Sequence, residues 1–253
     1  MIRMGFLRGM ARGCVPLLLP LALASSCAPR PEVQKSETKN QAQGDQAQGK
    51  KPEGQILKDL PERVDPRANY LFYLHGKIIE EKGIRPTDPR YGVYEYEQIL
   101  DALGREGFVV ISEARAKGTD PKEYAAKVVG QIEALIGAGV PPRNITVVGA
   151  SKGSVITMLV STGLKNRDAN FVIMSNCNDW VLENFNPDLY GNVLSIYDEG
   201  DEFGASCQKI FDHAAGLNRR KEIVLKLGLG HAILYKPMRE WIDPAAAWAR
   251  GVQ

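Results

Sequence analysis

Gly149-Ala150-Ser151-Lys152-Gly153 decides the fold because of what flanks it. Before it, Asn144-Ile145-Thr146-Val147-Val148 is a β-branched run, the signature of a buried strand. After it, Val155-Ile156-Thr157-Met158-Leu159-Val160 continues as an apolar segment that stops near Gly163, the length of a short buried helix. Strand, G-x-S-x-G and helix in that order predict a nucleophile elbow. The two glycines let strand and helix pack around a tight turn, which lifts the serine hydroxyl above the sheet edge. The helix N-terminus then directs its free N–H groups at whatever bonds to that serine.

Outward from this point, strand and helix patterns alternate. Tyr70-Leu71-Phe72-Tyr73-Leu74 reads as a strand ending at His75-Gly76, and Phe108-Val109-Val110-Ile111 as the next. Between them, residues 94–105 carry Ile99, Leu100 and Leu103 on one helical face. Asp120-Pro121 opens a strong helix, an N-cap residue followed by proline at the first helical position. Tyr124, Val128, Ile132, Leu135 and Ile136 form its apolar stripe, and Gly137 and Gly139 end it. Phe171-Val172-Ile173-Met174, Val193-Leu194-Ser195-Ile196-Tyr197 and Ile223-Val224-Leu225-Lys226-Leu227 complete six visible strands. Near-continuous apolar strands alternating with helices predict an α/β fold, a mostly parallel sheet covered on both faces. Reactive groups in such sheets gather where the strands end.

The first residues describe a destination. Arg3, Arg8 and Arg12 make a positive start, and an apolar stretch from residue 15 to 24 is interrupted by Pro16 and Pro20. It is shorter than the ~20 residues of a membrane-spanning helix, so residues 1–26 read as an export signal. Leu23-Ala24-Ser25-Ser26-Cys27 resembles a bacterial lipobox, which implies diacylation of Cys27 and a lipid-anchored mature chain in the cell envelope. Ala28 after the cysteine favours the outer membrane in Gram-negative sorting. Ordinary signal cleavage near Cys27 is the alternative. Residues 27–55 nearly repeat Gln-Ala-Gln-Gly and are otherwise rich in Lys, Glu, Pro and Asn, too polar to offset the cost of ordering them. They read as a flexible tether, leaving residues 56–253 as one domain.

Over 253 residues, 32 Lys and Arg face 30 Asp and Glu, a net charge of +2. The export signal holds three of those arginines and no acid, so the remainder is close to neutral, without a basic run. Nucleic acid is therefore excluded as the expected partner. The scattered His and Cys lack ligand spacing, and no metal or other cofactor is expected. Nothing in the sequence speaks to the oligomeric state.

The residues that follow the strands look chemical. Asp198-Glu199-Gly200-Asp201-Glu202 follows one strand and Gly228-Leu229-Gly230-His231 the last, so the chain offers Ser151, an acid and then His231. That order resembles the α/β-hydrolase-fold serine hydrolases, and the resemblance covers about residues 69–248. It implies Ser151 as nucleophile, His231 as general base and Asp201 as the acid that orients the imidazole. Asp198, which begins the same loop, and Asp179, after the preceding strand, are the competing acids. A turn histidine bonded to a backbone carbonyl is the competing role for His231, and His213, in a predicted helix, reads as structural.

His75-Gly76 resembles the family's oxyanion turn. The backbone N–H groups of Lys77 and Lys152 are then the implied oxyanion donors, although a lysine after His-Gly departs from relatives that carry glycine or an aromatic residue there. Residues 77–93 are long for a strand–helix connection and read as an ordered wall, whose Arg85 or Arg90 could meet an anionic substrate group. Residues 176–191, with Trp180, Phe185 and Tyr190, are the one stretch suited to a small apolar cap, which implies an open pocket and a compact acyl substrate. In the implied fold, Cys177 and Cys207 lie on neighbouring loops, and an exported protein would join them as a disulfide. The implied activity is hydrolysis of a small carboxylic ester or thioester. The rivals are acyl transfer or amide cleavage on the same residues, and a lipoprotein binding module without catalysis.

Overall fold

The computed structural model describes residues 54–252. The export signal, Cys27 and the tether to residue 53 lie outside the described residues. Short β1 (Ile56–Leu57) leads to β2 (Tyr70–Leu74), α1 (Lys77–Lys82), a hairpin of β3 (Thr87–Asp88) and β4 (Gly92–Val93), α2 (Tyr96–Arg105) and β5 (Val109–Ile111). Next come α3 (Pro121–Gly137), β6 (Ile145–Ala150), α4 (Lys152–Leu164), β7 (Asn170–Met174) and α5 (Asp179–Phe185). The chain closes with β8 (Tyr190–Asp198), α6 (Gln208–His213), β9 (Gly216–Leu225), a 3-10 segment Gly230–Tyr235 and α7 (Arg239–Ala249).

The main sheet has seven strands in the order β1-β5-β2-β6-β7-β8-β9, all paired in parallel. Every residue of β2, β6 and β7 is buried. That is why they read as unbroken apolar runs: both faces of a central parallel strand are covered. Alternation along β2 divides them between two cores. Tyr70, Phe72 and Leu74 point into the core shared with α3 and α4, while Leu71 and Tyr73 point into the one shared with α2 and α7. Helix α3 begins as its sequence predicts, with the Asp120 carboxylate accepting the Lys122 and Glu123 N–H groups and Pro121 in the first turn.

The expected six strands are seven, because β1 is two residues long and carries no periodicity to read. The last strand also begins earlier than its apolar run. Asn218-Arg219-Arg220-Lys221-Glu222 forms the middle of β9, ahead of the apolar run and at the open edge of the sheet, where Arg220 and Lys221 face solvent and blunt the unpaired strand. The long connection after His75-Gly76 is ordered as α1 and the β3–β4 hairpin. Tyr190, expected in the cap, instead starts β8 at the opposite end of the sheet, paired with Gly216. No helix among the described residues is long and apolar enough to cross a membrane.

Candidate active site

Ser151 sits between β6 and α4 with φ 54° and ψ −118°, a conformation non-glycine residues rarely adopt. Two glycines make that turn possible. A Cβ at Gly153 would stand 1.8 Å from the Leu74 carbonyl oxygen, and one at Gly149 would stand 2.3 Å from the Gly153 carbonyl oxygen. The strained turn is pinned at both ends: the Ser151 N–H donates to the Met174 carbonyl at 3.0 Å, and the Asn176 amide donates to the Ser151 carbonyl at 3.0 Å. Gly76 closes over it, where an added Cβ would lie 3.5 Å from the Ser151 Cβ.

His231 stands in the 3-10 segment that follows β9. Its Nδ1 lies 3.0 Å from both carboxylate oxygens of Asp201, whose side chain is fully buried. Burial opposes ionisation of Asp201, but the hydrogen bond and charge of His231 outweigh it and hold the carboxyl below its usual range. With Nδ1 engaged, Nε2 is the nitrogen left for a substrate proton. Asp198 does something different: it accepts the N–H groups of Leu227 and Leu229 at 2.8 Å and of Gly230 at 2.6 Å, so it shapes the loop that delivers His231. Asp179 is exposed and paired with Lys209 at 2.7 Å. Tyr91 and Phe203 flank the imidazole, with ring centroids 5.6 and 5.0 Å away.

His75 is buried, and burial first, then the Arg115 charge, pushes its pKa down to about 3. Its Nε2 accepts the Arg115 backbone N–H at 2.9 Å, so the proton resides on Nδ1, which donates to the Gly76 carbonyl at 2.8 Å. The neutral ring braces the turn rather than reacting. Sequence reasoning missed Arg115 and Glu80, which meet beside this turn. Arg115 lies four residues beyond the end of β5, where the strand-end rule could have singled it out.

Two cavities meet at Ser151. One, of about 180 Å³, also reaches His231 and is walled by Tyr91, Tyr94 and Tyr235. The other, of about 770 Å³, is mostly apolar and lined by Val155, Trp180, Phe185 and Phe203. Ser151 and His231 share the smaller cavity without a direct hydrogen bond between them. Arg90 borders it, held by Glu202 at 2.6 Å, whereas Arg85 does not line it. Cys177 and Cys207 form a disulfide with 4.9 Å between their Cα atoms, tying the start of α5 to the start of α6. His213 ends α6, away from these groups. No cluster of three or more His, Cys, Asp or Glu side chains suited to a metal ion occurs among the described residues.

No family model matches the chain, and no curated protein matches it. Among solved structures it is similar to SOBER1 of Arabidopsis thaliana, at 13% identity and TM-score 0.47, covering 73% of this chain and 98% of that one. It is also similar to a lipase-esterase related protein from Clostridium acetobutylicum, at 12% identity and TM-score 0.48, covering 73% and 96%. A structure described under the metagenome-derived lipolytic enzymes LipS and LipT aligns at 14% identity and TM-score 0.49, covering 79% and 95%. The parallel sheet, the elbow after β6 and the strand-end placement of the polar groups give this chain the architecture of the α/β-hydrolase fold.

Proposed function

We propose that this protein is a serine hydrolase that cleaves a carboxylic ester or thioester through an acyl-enzyme. The observation that carries the reading is a buried Asp201–His231 pair opening on the same cleft as a serine raised on a strained elbow. In this mechanism His231 Nε2 takes the Ser151 hydroxyl proton as the oxygen attacks the acyl carbon, and Asp201 fixes the tautomer and stabilises the imidazolium. The N–H groups of Lys77 and Lys152 receive the oxyanion. His231 then protonates the leaving group, and water repeats the sequence to release the acid.

The same chemistry orients the substrate. The leaving group must lie on the side of the imidazole that protonates it, so it occupies the tyrosine-walled cavity. The acyl chain then extends into the larger apolar cavity between Val155, Trp180 and Phe185. At about 770 Å³ that cavity supports a longer acyl group than the compact one expected from the short cap. The location proposed with this activity is the cell envelope, through diacylated Cys27, and it is read out as lipid mass on the N-terminal peptide.

A panel of p-nitrophenyl esters of increasing chain length tests the reading. Each methylene buried in the cavity is worth about 0.8 kcal/mol, so kcat/KM is expected to rise roughly fourfold per CH₂ until the cavity is full. Absence of both ester hydrolysis and covalent labelling by a fluorophosphonate overturns it.

A further inference from the structure

The two proposed oxyanion donors belong to different segments of the chain: Lys77 begins α1, and Lys152 begins α4. A single carboxylate joins them. Glu80 of α1, its side chain 1% exposed, accepts from Lys152 Nζ through Oε2 at 2.6 Å and from Arg115 Nε through Oε1 at 2.8 Å. The Arg115 side chain is completely buried, and its guanidinium also donates to the His75 carbonyl while its backbone N–H holds the His75 ring. Lys152 Nζ makes a further bond to the Thr119 carbonyl at 2.6 Å. The network therefore spans the His75-Gly76 turn, α1, the segment after β5 and the first residue of α4.

Such a network is a poor device for stability alone. Removing charges from water costs about as much as their attraction returns, and apolar side chains of similar volume commonly serve as well or better. What it supplies is a fixed spacing. An oxyanion reads the positions of two N–H groups at once, and a shift of about 1 Å in one of them costs roughly 100-fold in rate.

We infer that Glu80 is a positioning residue which, through Lys152 Nζ and Arg115, sets the separation of the two oxyanion donors. The inference rests on Ser151 being the acylated nucleophile. In it the Lys152 side chain acts at a distance from the reaction while its own N–H serves as a donor. Attraction between the carboxylate and the two cations holds α1 against α4 through each catalytic cycle. No proton moves through the network.

The test uses the full chain carrying Lys152→Met, which keeps the backbone N–H and most of the side-chain volume but removes the tie. Glu80 stays paired with Arg115 in this variant, so folding does not hinge on an isolated buried charge; Glu80→Gln is the companion. Active sites are counted by titration to completion with a fluorophosphonate, so that turnover is expressed per folded, reactive site. The expected result is a kcat lower by roughly 10- to 100-fold with KM within about twofold, and recovery of most of the loss in Lys152→Arg. A lower melting temperature with unchanged kcat per titrated site would show a merely structural role and overturn the inference. So would a fall in kcat that Lys152→Arg does not recover. A wild-type protein that neither turns over esters nor takes up the label overturns the hydrolase reading as well, which separates the two failures.

Discussion

At the amino edge of the sheet, Asn170 donates to the Arg143 carbonyl at 2.8 Å and accepts from Asn192 at 3.2 Å, and Asn192 in turn accepts from Asn218 at 3.2 Å. At the carboxyl edge, Ser151, His231, Asp201, Glu80 and Arg115 stand where the same strands end. Each edge also has a sizeable cavity, about 620 Å³ at the asparagines and about 770 Å³ beside Ser151. The difference lies in what the polar atoms are doing. The asparagine amides are occupied by backbone carbonyls and by one another, completing peptide groups at the strand starts. At the other edge the charged groups are buried and paired with one another, Asp201 with His231 Nδ1 and Glu80 with Arg115 and Lys152, around a serine at positive φ. Cavity size does not distinguish the edges; buried charge pairs do.

The largest expected break in this comparison is Asp201→Asn. An amide in place of the carboxylate favours the wrong histidine tautomer, and turnover is expected to fall by about 10⁴-fold with the fold intact by circular dichroism. Asp198→Asn is expected to lower kcat far less and to act on stability, because Asp198 contacts loop N–H groups rather than the imidazole. If Asp198→Asn is the change that abolishes turnover, Asp201 is misassigned.

A smaller effect concerns pH. His75 is neutral in the folded protein down to about 3, whereas in the unfolded chain it gains a proton near 6.5. Between those values the unfolded state holds more protons, so stability is complete above about 6.5 and falls as the pH drops, by up to about 1.4 kcal/mol per pH unit. Asp201 adds to the loss lower still, as the pH falls through its depressed native range. Urea unfolding from pH 7 to 4 measures this slope, and His75→Gln is expected to flatten it. An unchanged slope in that variant would contradict a neutral, buried His75.

The smallest effect belongs to the other edge. Asn170→Ala removes the amide bonded to Arg143 and Asn192 and is expected to cost about 1–3 kcal/mol of stability with kcat and KM unchanged. A change in kcat would mean that the amino edge communicates with the site.

Much of this was legible in the sequence, for local reasons. The elbow was visible because a buried parallel strand has no polar face, and because Gly153 must lack a side chain where α4 meets β2 and Gly149 where β6 meets α4. Helix α3 was visible from its cap and stripe. Hidden features depended on contacts across the chain. The charged middle of β9 is a strand only because β8 pairs with it, and β1 only because β5 does. Ile78 and Ile79 of α1 gave too short a pattern to mark a helix. Glu80, Arg115 and Lys152 are separated by 35 residues or more along the chain, so nothing local announces that they meet. Ser151 and His231 were singled out because the strand-end rule needs no such contact, and Asp201 was preferred to Asp198 on the resemblance alone. That Asp201 meets His231 while Asp198 meets loop N–H groups depends on contacts about 30 residues apart, which no local pattern carries.

The proposed mechanism stands on Ser151 as an activated nucleophile, and covalent labelling is the decisive check of that role. Treatment with a fluorophosphonate followed by peptide mass spectrometry is predicted to place one adduct on the peptide containing Ser151, with no adduct in Ser151→Ala and turnover reduced by roughly 10⁴-fold or more. Equal labelling of wild type and Ser151→Ala, or an adduct on a different residue, would contradict it.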